Sequence, residues 1–442
     1  MQRWLNMSAA ALGRAIAKGD IDPVDLAQTY LDAIDAHPFT SRIYTTVTRD
    51  RALAEAQAAS ERVRLGQRKS ALDGVPVSWK DLFDSANVAT EAGSVLLKNR
   101  MPSTDCEVLR CATELGLVCL GKTHLSELAF SGLGYNPRTA TPPCVNDHDA
   151  VSGGSSSGAA ASVAFGLAPL AIGSDTGGSV RIPAAWNDLV GLKTTSGRLS
   201  LEGVVPLCAR FDTVGPLCRS VEDSALALAV LEGSEAADLT NSTLERRRFA
   251  ICDTVALDAL RPEPRAAFDM AIDRLRSMGA MVERIEIPQV QEALALSGVL
   301  FAAEAYGAWK DTIEANPDLM YEEILMRFRG GADVSAPDYV AAWQKLDRLR
   351  EDYYTATREF DAVLMPSSPI LPPNMERLGR DHDYYVAENL LALRNTRIGN
   401  LMGACALTLP TGVPSCGLMM VCPPLQEHHL LRLGAAVENA LA

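Results

Sequence analysis

An α/β fold, a β-sheet with helices packed on its faces, is what this 442-residue sequence predicts. Short apolar runs alternate with amphipathic Ala/Glu/Arg-rich runs at the spacing of such a sheet. A hydrophobic fraction of 48% against 22% charged residues is enough to build a large core. No internal repeat or long linker divides the chain. In order, residues 8–36 read as two helices, Ser8 capping the first and Asp22-Pro23 opening the second as N-cap and N1. Asp50–Leu65 is a third helix. Gly74–Trp79 is a short strand ending in Lys80-Asp81, Cys106–Leu115 is helical, and Leu117–Leu120 is a buried strand closed by Gly121. Ala159–Phe165 is a helix and Leu170–Ile172 a strand, with helices over 220–233 and 264–278. Residues 298–361 form a helical stretch broken near Gly330-Gly331 and Pro337. Strands return at Ala362–Met365, Ala406–Leu409 and Leu418–Val421 before a terminal helix, Glu427–Leu441.

Composition excludes several classes. With 41 Lys+Arg against 55 Asp+Glu the net charge is −14, which disfavours phosphate backbones and anionic membranes as partners. The densest arginine run, Glu245–Arg248, reads as a solvated loop. No secretory pattern opens the chain, and the apolar stretch Gly158–Gly173 is interrupted by Pro169 and too weakly hydrophobic to span a bilayer. The ten cysteines form no Cys-x-x-Cys pair, as expected of reduced thiols in the cytoplasm.

Three segments carry the chemistry: Leu72–Asp81, Ser152-Gly-Gly-Ser155-Ser-Ser-Gly158, and Gly173-Ser-Asp175-Thr176-Gly177-Gly178-Ser179-Val-Arg181-Ile-Pro183. A Gly-Gly pair before a serine lets successive N–H groups converge on an anion, the geometry an oxyanion hole needs. In these segments, in Gly121-Lys-Thr with Ser126-Glu127, and in Phe211–Pro216, the sequence resembles the amidase signature family of serine hydrolases. The likeness reaches, more diffusely, Gly399-Asn400 and the terminal helix.

The resemblance implies a large mixed, twisted central sheet flanked by helices on both faces, in a single domain over 1–442. Within it, 1–65 is an N-terminal helical region, 70–235 the catalytic core, about 240–360 a helical insertion shaping the substrate pocket, and 361–442 the C-terminal strands and helix. It implies Ser179 as nucleophile, Ser155 as bridging serine after a cis Gly154–Ser155 bond, and Lys80 as base. The N–H groups of Thr176, Gly177, Gly178 and Ser179 would form the oxyanion hole, and Asp175 and Arg181 would brace the loop. Substrate contacts are expected from Phe130, Ser131 and Gly132, from Arg210-Phe211 and from the 298–330 helices. A small amide is the expected partner and a homodimer the expected assembly, with no cofactor, metal, nucleic acid or membrane.

The physical logic is independent of the family. Amide hydrolysis needs a nucleophile, a proton acceptor that later protonates the leaving amine, and donors for the oxyanion. A lysine can be that acceptor near neutral pH only if burial lowers its pKa by about three units. Asp81 threatens this, because an adjacent carboxylate raises the pKa; it must point to the opposite face.

Other readings are weaker. Gly154-Ser-Ser156-Ser-Gly158 matches the nucleophile elbow of α/β-hydrolases but follows a polar loop where that motif needs a strand. Asp147-His148-Asp149 and Asp381-His382-Asp383 look like metal loops, yet solvated loops explain them. His124 reads as packing near the site and His428-His429 as solvent-facing. Trp186-Asn187-Asp188 and Lys193-Thr194-Thr195 depart from the family's usual residues and put the pocket lining in question. The alternative function is the glutaminase component of a tRNA-dependent amidotransferase. Against it, the chain is short for such a component, and Arg210-Phe211-Asp212 departs from its serine-rich approach. A urea- or carbamate-type hydrolase shares the machinery, and a non-enzymatic scaffold would have lost one of the three reacting residues.

Overall fold

The computed structural model describes residues 2–442. Within them eleven strands form one sheet: β1 (Tyr44–Val47), β2 (Pro76–Lys80), β3 (Val118–Thr123), β4 (Leu170–Ser174), β5 (Val190–Lys193), β6 (Val214–Cys218), β7 (Arg248–Cys252), β8 (Met281–Ile285), β9 (Ala362–Pro366), β10 (Cys405–Pro410) and β11 (Gly417–Cys422). The order across the sheet is β1-β3-β2-β4-β6-β5-β10-β11-β9-β7-β8. β3-β2-β4 and β9-β7-β8 are parallel, and the centre from β4 to β9 is antiparallel. The sheet is therefore mixed, as expected.

Consecutive residues of β10 show that both faces are covered. Leu407 packs against Gly434 of the terminal helix, while Ala406 lies beside Gly399 of the His382–Leu401 helix. Neighbouring strand residues point to opposite faces, so these two helices lie on opposite sides. The expected caps form: Ser8 accepts from the Ala11 N–H and Asp22 from the Val24 N–H, with Pro23 opening its helix. No described helix is long and apolar enough to cross a membrane.

Four expectations need correction. β3 does not close at Gly121 but runs on to Thr123, because β1 pairs beside it. A Cβ at Gly121 would strike the Thr46 carbonyl and come within 3.0 Å of Val47 Cα, an approach only glycine permits. The segment 240–360 is not wholly a helical insertion, since β7 and β8 join the main sheet through β9. Its helices are Pro262–Ser277, Pro288–Ala315, Glu322–Arg329 and Ala336–Thr357, with an additional break at Asn316-Pro317. Lastly, the Glu245–Arg248 run is not all loop: Arg248 opens β7 with its guanidinium 5.1 Å from the Phe360 ring centre, and Arg247 pairs with Asp361 at 3.0 Å.

Candidate active site

Parallel strands β2 and β4 end side by side, which puts Lys80 and Ser174 at the same carboxyl edge of the sheet, where α/β folds place their sites. The Lys80 side chain is fully buried. Its Nζ lies 2.7 Å from Ser155 Oγ and 2.8 Å from Ser174 Oγ. Burial pushes the amine down to about 7, against the raising pull of Asp175 and Asp212. Asp81, the feared neighbour, points away and pairs with Lys122 at 3.0 Å.

Ser155 follows a cis Gly154–Ser155 bond and leads into the Ser157–Ala164 helix. The backbone N–H of Ser156 donates to the Ser179 carbonyl at 3.2 Å, which ties the two serine loops together. Ser179 is nearly buried and faces a cavity of about 470 Å³. Among the described residues no hydrogen bond joins its hydroxyl to Ser155; such contacts often tighten only when substrate binds.

The loop carrying Ser179 is braced from beneath. The Asp175 carboxylate accepts from the Gly178 and Val180 N–H groups, from Arg181 Nε at 3.0 Å and NH2 at 2.8 Å, and from Asn400 Nδ2 at 2.9 Å. Burial works to raise this carboxyl, but Arg181 holds it well below the usual carboxylate range. Thr176 donates its hydroxyl to Asp212 at 2.5 Å, and Thr396 donates to the Gly177 carbonyl at 2.8 Å. Gly178 has φ +140°, and a Cβ there would strike Thr396 Oγ1 and lie 2.9 Å from Ile182 Cδ1. No other residue fits.

The cavity above Ser179 has an apolar wall that includes Leu207, Val299, Phe301, Met326, Leu390 and Leu393. Two cations interrupt it. Arg327 donates from Nε to the Phe130 carbonyl at 2.8 Å, with its guanidinium 4.6 Å from the Phe130 ring centre. Arg397 lies over the loop: a Cβ on Gly177 would be 4.0 Å from its Nε. Burial, and then the charge of Arg327, lower Arg397 to about 9.

A sequence model of the Amidase family matches residues 25–431. The chain belongs to the amidase family. It is a hydrolase of amide-type carbon–nitrogen bonds. It is 35% identical over 407 residues to a 2-amino-5-chloromuconic acid deaminase of Comamonas testosteroni, covering 89% of this chain and 87% of that protein. Identity to a component of the glutamyl-tRNA(Gln) amidotransferase of Thermobifida fusca (strain YX) is 32% over 488 aligned positions, covering 100% and 97% of the two chains. A solved amidase structure superposes with a TM-score of 0.89 at 29% identity, covering 99% of this chain and 100% of that one.

In this amidase Lys80 bonds to Ser155, and Asp175 with Arg181 braces the loop that carries Ser179. Phe130 and Ser131 line the cavity, Ser131 held by Tyr385 and Asn389. Gly132 does not: its N–H donates to Asn389 Oδ1 and its Cα faces Leu393, so it stands behind the wall. Arg210 and Phe211 also miss the cavity. Phe211 packs on Phe301 and Trp343, and the Arg210 guanidinium stacks on Trp343 at 3.7 Å. Of the four N–H groups assigned to the oxyanion hole, that of Gly178 is already taken by Asp175 at 2.9 Å. Trp186, Asn187 and Asp188 bond to Ile370, Ser152 and Ser415 outside the cavity, so these departures leave its lining untouched. His382 caps no metal loop; it pairs with Glu323 at 2.6 Å. His124 is buried, which lowers its imidazole to about 4.

Sequence reasoning missed Ser174 as the second partner of Lys80. It also missed the His382–Leu401 helix, whose Leu390, Leu393 and Arg397 share one face by their spacing of three and four. The available signal was the arginine recurring at 394 and 397 within a segment that ends in the resembling Gly399-Asn400.

Proposed function

We propose that this enzyme hydrolyses a small or medium amide to a carboxylate plus ammonia or an amine through an acyl-enzyme on Ser179. The Ser179 hydroxyl gives its proton to Ser155 Oγ as Ser155 gives its own to the neutral Lys80 amine. Ser179 Oγ bonds to the carbonyl carbon, and the displaced electron pair settles on the carbonyl oxygen. The N–H groups of Thr176, Gly177 and Ser179 receive that oxyanion, while Gly178 serves the loop. Collapse of the intermediate breaks the C–N bond, and the proton held at Lys80 returns through Ser155 to the leaving nitrogen. Water then repeats the sequence on the acyl-enzyme.

One observation carries this reading: a fully buried amine between two hydroxyls at 2.7 and 2.8 Å, with no carboxylate in contact among the described residues. A fluorophosphonate tests it. It should label the native enzyme and fail on Ser179→Ala; labelling elsewhere, or none, contradicts it. The likeness to the Comamonas deaminase supports a small substrate that loses ammonia. The ten free thiols, all buried except Cys111, suit a reducing cytoplasm, and a homodimer is the assembly expected, which sedimentation velocity tests.

The likeness to the amidotransferase component favours glutamine as a second reading. The cavity argues against it: no acidic side chain lines it among the described residues, so the α-ammonium of glutamine would meet two guanidiniums and no carboxylate. Glutaminase activity, with co-purification of a tRNA-binding partner, would reverse this ranking.

A further inference from the structure

Arg327 and Arg397 are the two cations that line a largely apolar cavity, and the proposed chemistry uses neither. Among the described residues neither guanidinium makes an ion pair, although arginines elsewhere in this chain do so repeatedly, as at Arg51–Asp105, Arg181–Asp175 and Arg198–Glu232. Arg397 feels the charge of Arg327, and Arg327 has the neutral Tyr385 phenol beside it. Two like charges lining one partly buried cavity are costly unless an anion joins them. Arg327 is fixed by its Nε bond to the Phe130 carbonyl and by the Phe130 ring, which leaves its two terminal nitrogens without an acceptor among the described residues. Arg397 is anchored on a helix that also holds the Ser179 loop through Thr396 and Asn400. The fork of a guanidinium matches a carboxylate in a two-point contact. The rest of the wall offers carbon and few polar atoms.

We infer that the substrate is the amide of a carboxylic acid bearing a second, free carboxylate, with an apolar carbon body and no ammonium, and that Arg397 and Arg327 together bind that carboxylate while the amide lies at Ser179. The inference rests on the proposed acyl transfer at Ser179. The absence of an acidic lining residue excludes the ammonium and separates this class from α-amino acids such as glutamine.

The test uses ammonia release from the monoamides of succinic, glutaric and adipic acid, each against its own methyl ester, with glutamine compared to glutaric monoamide. At least one free acid should exceed its ester in kcat/KM by about ten- to a hundredfold, the size of a charged hydrogen bond. Glutamine should fall below glutaric monoamide by about tenfold or more. In Arg397→Gln and Arg327→Gln that acid-to-ester ratio should drop towards one, mainly through KM, and Arg397→Lys should restore part of it. Esters hydrolysed as well as acids, glutamine matching its deamino analogue, or a ratio unchanged in both variants would overturn the inference. Loss of turnover alike on acid and ester in Arg397→Gln would also overturn it, showing a role in the loop. If no amide is hydrolysed and Ser179 takes no fluorophosphonate, the proposed function fails instead. Thermal stabilisation by succinate, glutarate or adipate, lost in Arg397→Gln, then still decides for a carboxylate site, and no stabilisation decides against it.

Discussion

Two lysines on adjacent strands, both wholly buried, have opposite surroundings. Lys122 on β3 lies 3.0 Å from the Asp81 carboxylate and 2.8 Å from Thr90 Oγ1. Lys80 on β2, paired through the register with Thr123, bonds among the described residues to the hydroxyls of Ser155 and Ser174 alone. One residue of strand alternation thus turns Asp81 away from Lys80 and gives its charge to the neighbour. Burial with a counter-ion yields a structural ion pair; burial without one yields an amine near neutrality, fit to carry a proton. Lys193 marks the limit of that rule. Burial lowers it to about 8, yet its amine is spent on the Thr194 and Ala404 carbonyls at 2.8 Å each and does not line the cavity above Ser179. A lowered pKa marks a base only where hydroxyls and a substrate space adjoin it.

Substitutions can break this comparison. Ser179→Ala should have the largest effect, reducing hydrolysis by on the order of 10⁴-fold or more in steady-state assays. Lys80→Met should follow, with kcat/KM down by about 10²–10⁴ while circular dichroism stays native. Lys122→Met should act on stability instead: it strands Asp81 and should cost about 3–5 kcal/mol in urea denaturation, with kcat of the folded protein nearly kept. If the Lys122 variant lost turnover in the folded state as fully as the Lys80 variant, the two lysines would not differ as described. Ser156→Ala should be mildest. Its hydroxyl donates to the Ser174 carbonyl at 3.2 Å and accepts from the Ser174 N–H at 3.3 Å, so its loss should cost about fivefold at most.

Legibility in the sequence followed how local each determinant is. The caps at Ser8 and Asp22 and the terminal helix need only neighbouring residues, and they lie where the sequence put them. The loops holding Lys80, Ser155 and Ser179 are contiguous motifs and were readable for the same reason. Strands β5 and β6, Val190-Gly-Leu-Lys193 and Val214-Gly-Pro-Leu-Cys218, carry Gly and Pro and show no alternation; pairing with β4 and β10, remote in sequence, makes them strands. β8, Met281-Val-Glu-Arg-Ile285, is largely exposed at the sheet edge and has no buried face to mark it. Arg397 meets Gly177 across 220 residues of chain, a contact that no periodicity signals. Asp81 was placed by strand alternation, but its partner required the register of β2 against β3.

The most direct test of the neutral amine is the rate at which a fluorophosphonate labels Ser179 from pH 5 to 9, in the native enzyme and in Lys80→Met. A base whose pKa lies at about 7 is protonated and idle below it. The labelling rate should therefore rise about tenfold per pH unit up to roughly pH 7 and then level. In the Lys80 variant it should be slow, with that inflection gone. A native rate that is flat across this range, or a Lys80 variant labelled as fast as the native enzyme, would contradict the account.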